Sequence, residues 1–401
     1  MPHEETLIAT LAISLALAFV FGLLAVRLRL PALVGYLLAG IVIGPYTPGL
    51  EADVHLAPQL AEIGVMLLMF GVGTHFSLRD LMAVKGIALP GAVAQIVVAT
   101  ALGAGAAHLW GWSLGAGIVF GLALSVASTV VLLRALEQQG TLESADGRIA
   151  VGWLIVEDLV MVLALVLLPA LAVPLGGQAP AGHGAPPGEL WQTLGITLGK
   201  VALFVALMLV VGARVFPWVL QRVVRTNSRE LFTLAALALA LGVAYGSAKL
   251  FEVSVALGAF FAGMVLNGSD LSHRASTYLQ PMQDIFAALF FVSVGMLFDP
   301  LVLLQHPLEV LAVLAIIVVG KSLAALAIVL LLRRPLSTAL TVSAALAQIG
   351  EFSFILAVMG VNLKLLPAQG QSYILAGALL SITINPLVFK LVSRFRPAPV
   401  G

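Results

Sequence analysis

Four ionisable side chains stand deep inside apolar runs of the chain: Glu157, Asp158, Lys321 and Glu351. A charged group at mid-membrane depth costs at least ~2.5–3.5 kcal/mol on insertion scales, so each of the four requires a role or a partner. Glu157 and Asp158 are consecutive, roughly ten residues into an apolar helix, which at ~1.5 Å per residue is about half-way across a bilayer. Neighbours on a helix diverge by about 100°, so one carboxylate faces a cavity while the other meets an adjoining helix. Two carboxylates so close do not both ionise in a low-dielectric site without a cation or a positive partner. Such a pair holds protons or a metal cation but not comfortably both, which is the chemistry of exchange.

Lys321 lies near the middle of another apolar run, Ile316-Ile-Val-Val-Gly-Lys-Ser-Leu-Ala-Ala325, too central for its ammonium to snorkel to the interface. It is the natural partner for one carboxylate, most simply Glu157. Small hydroxyl residues concentrate in Leu124-Ser-Val-Ala-Ser-Thr-Val130, and Ala347-Gln-Ile-Gly-Glu-Phe-Ser353 places Gln348, Gly350 and Glu351 inside an apolar run. Both read as interrupted helices, whose freed carbonyls and dipole ends coordinate cations or compensate buried charge at mid-membrane. Glu351 then reads as a compensating or gating group and not as an ion ligand or the proton carrier.

These residues need a membrane scaffold. The chain of 401 residues is 61% hydrophobic and 10% charged with mean hydropathy +1.11, against about 25% charged in ordinary soluble domains. Its apolar runs reach about 20 residues and are apolar all round, which excludes a soluble fold and a β-barrel. The acidic start Met1-Pro2-His3-Glu4-Glu5 lacks a cleavable leader pattern, so the first run is expected to remain as a helix. Apolar runs predict an all-α polytopic protein with thirteen spans near 6–26, 31–44, 58–75, 86–109, 113–136, 148–172, 192–213, 230–248, 253–267, 282–298, 309–332, 337–360 and 370–392. With the N-terminus outside and the C-terminus cytoplasmic, most Lys and Arg fall inside, among them Arg27, Arg79, Arg148, Arg222, Arg274, Arg333, Arg394 and Arg396. Only Lys249 and Lys364 fall in outer loops.

A shift of about 222 positions brings Phe70-Gly-Val-Gly-Thr-His-Phe76 onto Val292-Ser-Val-Gly-Met-Leu-Phe298 and Leu38-Ala-Gly40 roughly onto Phe261-Ala-Gly263. Six spans, a linker and six more place such repeats in opposite orientations. The expected division is 1–190 for the first repeat with the Gly/Pro-rich outer loop Pro174–Pro187, 191–229 for the linker, and 230–401 for the second repeat.

Together, the thirteen spans, Ser125-Val-Ala-Ser-Thr129, Glu157-Asp158, Lys321 and Gln348-Ile-Gly-Glu-Phe-Ser-Phe354 resemble the monovalent cation:proton antiporter superfamily, and within it the Kef-type potassium/proton antiporters, over essentially the whole chain. The resemblance implies a sodium/proton antiporter-like fold with crossed broken helices, a homodimer with a mobile six-helix core, elevator-like alternating access, and an inner-membrane location. It implies that Asp158 binds cation and proton in competition, that Lys321 pairs with the site, and that Ser125, Ser128 and Thr129 lie beside the ion. Typical Kef-type chains carry glutamine before the aspartate and sodium-type chains a second aspartate, where this chain has Glu157; K⁺ is the first expectation for the transported ion and Na⁺ the second. Kef-type proteins usually continue into a cytoplasmic nucleotide-binding domain. This sequence stops at Gly401 without one, so truncation or a separate regulatory domain or subunit is expected.

No cofactor is implied beyond the transported cation. Without cysteine, thiol chemistry and disulfides are excluded. There is no phosphate loop, no dinucleotide fingerprint and no long soluble segment able to bind ATP, so ATP-driven transport by this chain alone finds no support; no nucleic-acid partner is expected. An intramembrane acid hydrolase is disfavoured because its two acids converge from separate elements, and the chain is not read as an enzyme. A cation channel would need a polar helix face along its length, whereas polar residues here cluster at one depth. A metabolite/proton symporter on a related fold is the remaining alternative.

Overall fold

The computed structural model describes residues 2–48, 56–75, 78–142, 144–178, 190–251, 253–267 and 271–393, and among these every regular element is a helix. The helices are α1 (Pro2–Arg27), α2 (Ala32–Ile43), α3 (Ala57–His75), α4 (Leu78–Leu109), α5 (Leu114–Leu124), α6 (Thr129–Gln138) and α7 (Ala145–Leu171). Then follow α8 (Leu190–Leu207) and α9 (Ala213–Val224), joined by a π-turn at Met208–Gly212, then α10 (Arg229–Phe251), α11 (Val255–Asn267), α12 (Ser272–Met296) and the single turn α13 (Val302–Gln305). The chain closes with α14 (Pro307–Ala315) and α15 (Lys321–Leu331), joined by a π-turn at Ile316–Gly320, then α16 (Leu336–Ala345), α17 (Glu351–Asn362) and α18 (Ala368–Ser393). Nine helical stretches among the described residues are long and apolar enough to cross a membrane, and α2, α3, α11, α16 and α17 are shorter apolar helices. Counting α5–α6 and α16–α17 as one interrupted span each, the arrangement follows the predicted order of spans.

Boundaries differ where polarity and helicity part company. The tenth span begins at Ser272 and not near 282, and the fourth at Leu78 and not 86. Both added stretches, 272–281 and 78–85, carry polar and charged residues that end an apolar run, so hydropathy alone misses them. Most of the Pro174–Pro187 loop lies outside the described residues, as do Phe76 of the repeated motif and Arg394 and Arg396.

The helices sort into two bundles. In one, α4 packs on α5 and α7, α15 on α16 and α4, α16 on α7, and α17 on α5 and α18. In the other, α2 and α3 pack against α12, α3 against α11, and α10 against α11. Without a hydrophobic force between helices in lipid, close packing requires small residues at the crossings, and here they fall on the repeated motifs. A Cβ on Gly40 would meet Val292 O at 2.0 Å and one on Gly295 would meet Leu37 O at 2.2 Å, while one on Gly73 would meet Phe260 O and one on Gly263 would meet Phe70 O, both at 2.1 Å. The α2–α12 crossing and the α3–α11 crossing are thus built alike, from glycines that the sequence shift pairs with one another.

Candidate ion site at the crossed helix breaks

α5 stops at Leu124 and α6 restarts at Thr129; α16 stops at Ala345 and α17 restarts at Glu351. The two interruptions touch: a Cβ on Gly350 would lie 2.3 Å from Ser128 Cβ and 2.5 Å from Ser128 Cα. Ser128 caps α6 and Gly350 precedes α17, so two helix N-termini, each carrying partial positive charge, meet at this point.

Peptide groups released by a break in the membrane cost several kcal/mol if unpaired, and a set of buried side chains pairs them. Ser125 Oγ donates to Leu122 O at 2.7 Å, and Gln95 Nε2 donates to Ser125 O at 3.0 Å while its Oε1 accepts from Trp153 Nε1 at 3.4 Å. The Ala127 N–H donates to Glu157 Oε2 at 2.8 Å. Gln348 clamps the peptide of Ser128: its Oε1 accepts from Ser128 N–H at 2.9 Å and its Nε2 donates to Ser128 O at 3.2 Å and to Ala345 O at 3.3 Å. Asn385 Nδ2 donates to Ala344 O at 3.1 Å, and Lys321 Nζ donates to Gln348 O at 3.1 Å.

All four predicted ionisable residues converge here, with Glu157 and Lys321 0% exposed, Glu351 1% and Asp158 5%. Thr129 Oγ1 donates to Asp158 Oδ2 at 3.2 Å, and Ser128 Oγ donates to Glu351 Oε2 at 3.0 Å. One oxygen of each carboxylate is therefore occupied, while Glu157 Oε1, Asp158 Oδ1 and Glu351 Oε1 are buried without a hydrogen-bond partner. Buried carboxylate oxygens so placed need a proton or a cation. Among the described residues, no set of three or more histidines and acids is arranged to enclose a metal ion.

The direct Lys321–Glu157 ion pair expected from sequence is not formed. The lysine lies near enough to Glu157 for coulombic coupling, but its hydrogen bond goes to the Gln348 carbonyl. The α16–α17 break frees that carbonyl at the depth of Lys321, whereas Glu157 already spends one oxygen on the α5–α6 break. Sequence reasoning also missed Gln95 and Asn385, 0% and 1% exposed, which hold the breaks from α4 and α18. Their signal was present: an amide inside an apolar run, the same test that singled out Lys321.

Residues 15–394 match the family described as sodium/hydrogen exchanger, transmembrane. The chain belongs to this family. Among its curated relatives in this exchanger group is a protein named as a cation/proton antiporter, YbaL, of Escherichia coli (strain K12), 61% identical over 395 residues, covering 98% of this chain and 70% of that one. K(+) efflux antiporter 4 of Arabidopsis thaliana is 34% identical over 364 residues, covering 90% of this chain and 60% of the relative. The solved sodium proton antiporter MjNhaP1 of Methanocaldococcus jannaschii superposes with a TM-score of 0.75 over 98% of this chain and 99% of its own, at 16% identity, a likeness of fold.

Proposed function

We propose that this exchanger-family protein is a secondary monovalent cation/proton antiporter of the inner membrane in which Asp158 binds cation and proton in turn. The observation that carries the reading is the pair of states open to Asp158: Thr129 holds Oδ2, while Oδ1 is buried and unpartnered at the crossing of the two breaks. An oxygen in that position is satisfied by a proton or by a cation, and binding of one displaces the other. K⁺ is the proposed cation, supported by the K⁺ efflux relatives, with Na⁺ as the competing substrate.

Glu157 and Lys321 hold the site's shape and charge, with Ser125, Ser128, Thr129 and Gln348 supporting the breaks. Lys321 is seated on a backbone carbonyl, and in this proposal it keeps its proton through the cycle, so that one proton exchanges for one cation without net charge movement. The protein works as a homodimer by alternating access, with the α4–α7 and α14–α18 bundle moving against the other. Repeats over 1–190 and 230–401 joined by 191–229, an outer N-terminus and a cytoplasmic C-terminus complete the proposal. A cytoplasmic regulatory domain or subunit is a further proposed partner.

Proteoliposomes with an internal pH dye and imposed K⁺, Na⁺, Li⁺ and Rb⁺ gradients test it. Cation-driven pH change in the absence of a membrane potential supports antiport. Ion conduction without proton movement would make the protein a channel, and proton flux only with an added metabolite would make it a symporter.

A further inference from the structure

Among the described residues, Glu351 is the acid that the second half of the chain contributes to the crossing, and two consecutive residues link it to Asp158. Ser128 Oγ donates to Glu351 Oε2 at 3.0 Å and Thr129 Oγ1 to Asp158 Oδ2 at 3.2 Å, so the first residues of α6 hold one oxygen of each carboxylate. The other oxygen of each, Glu351 Oε1 and Asp158 Oδ1, is buried and unpartnered. Asp158 on α7 is electrostatically coupled to Glu351 and to its neighbour Glu157, and Glu157 in turn to Lys321 on α15. Lys321 Nζ donates to Gln348 O, and Glu157 Oε2 is bonded to Ala127 N–H. Asp158 and Glu351 are thus left coupled to one another, each with a free oxygen.

We infer that Glu351 is a second carboxylate of the exchange site, sharing one proton or one cation with Asp158 across the Ser128–Thr129 helix start. The inference rests on the antiport reading and deepens it, because the ion is then held by both halves of the molecule at once. On cation entry the shared proton leaves to the same side, and on cation release a proton from the opposite side replaces it. The competing account is that Glu351 only offsets the partial positive charge of the α6 and α17 N-termini that meet here. That account predicts a stability effect alone.

Glu351→Gln in the full chain separates the two. The amide still accepts from Ser128 but carries no charge, so Asp158 loses a like-charged neighbour and holds both proton and cation less firmly. The expected results are a rise of about tenfold in the cation KM and a move of about one pH unit toward acid in the midpoint of acid inhibition. Wild-type KM and midpoint with only a lowered melting temperature would overturn the inference. If Glu351→Gln does not fold, cation affinity against pH is measured in the wild type and Glu157→Gln. Two titration steps that persist in Glu157→Gln support the shared pair, and a single step overturns it. Asp158→Asn is the control for the underlying reading: if it still exchanges, the antiport assignment itself fails, whatever Glu351 does.

Discussion

Replacing Gly350 by alanine adds one methyl group where the two helix breaks touch. Its backbone is extended, φ −143° and ψ −150°, so alanine meets no conformational penalty and the effect is steric alone. The new Cβ would lie 2.3 Å from Ser128 Cβ, 2.5 Å from its Cα and 3.0 Å from its nitrogen. Carbon atoms rest about 3.5–4.0 Å apart, so the breaks must separate by about 1.2–1.7 Å. No flexible side-chain end is available to yield, because the atoms met are backbone and Cβ. A separation of that size removes the Gln348 clamp, whose bonds to Ser128 are 2.9 and 3.2 Å long and fail beyond about 3.5 Å. Overpacking of this kind costs about 1–3 kcal/mol, with about 1 kcal/mol for each lost hydrogen bond. Gly350→Ala should therefore lower the melting temperature in detergent and reduce exchange in proteoliposomes by at least about tenfold, since misplacing reacting groups by about 1 Å costs far more function than stability. Gly242→Ala in α10, where a Cβ meets nothing within 4 Å, serves as the matched control. A Gly350→Ala protein with wild-type melting temperature and exchange rate would refute the contact between the breaks.

Asp158→Asn should abolish exchange while leaving the protein folded, because an amide neither releases a proton nor offers compensating charge; more than about half the wild-type rate would contradict its role. Exchange by the wild type should fall as pH is lowered, since protons displace the cation from the shared carboxylate, and cation affinity flat from about pH 5 to pH 9 would count against competition. Lys321→Ala leaves the buried Gln348 carbonyl without its donor and removes the cation near the acids, and should destabilise by about 1–3 kcal/mol or more, read as a fall in melting temperature. Glu157→Gln should retain part of the exchange, and wild-type transport in valinomycin-clamped vesicles should respond little to membrane potential. A strong voltage response that disappears in Glu157→Gln would show that the lysine cycles its proton.

Much of this protein is legible in its sequence because lipid imposes a simple rule. Peptide groups in lipid must all be paired, which uninterrupted helices do within a single span, so apolar length marks most of the helices, and any polar residue within them is conspicuous by its cost. That rule finds Glu157, Asp158, Lys321, Gln348 and Glu351, and the small-residue clusters at Ser125–Thr129 and Gly350 mark where helices stop. Applied evenly it also finds Gln95 and Asn385. What the tertiary structure alone decides is who pairs with whom. Charge counting joins Lys321 to Glu157, but the crossing of the two breaks, set by the fit of Gly350 against Ser128, sets a freed carbonyl before the lysine and a free N–H before the glutamate. The same crossing brings Ser128 to Glu351 over 223 residues of sequence, a contact no local pattern encodes. Hydropathy determines that charges lie at one depth; only the packing of helices from the two halves determines which oxygens remain open to an ion.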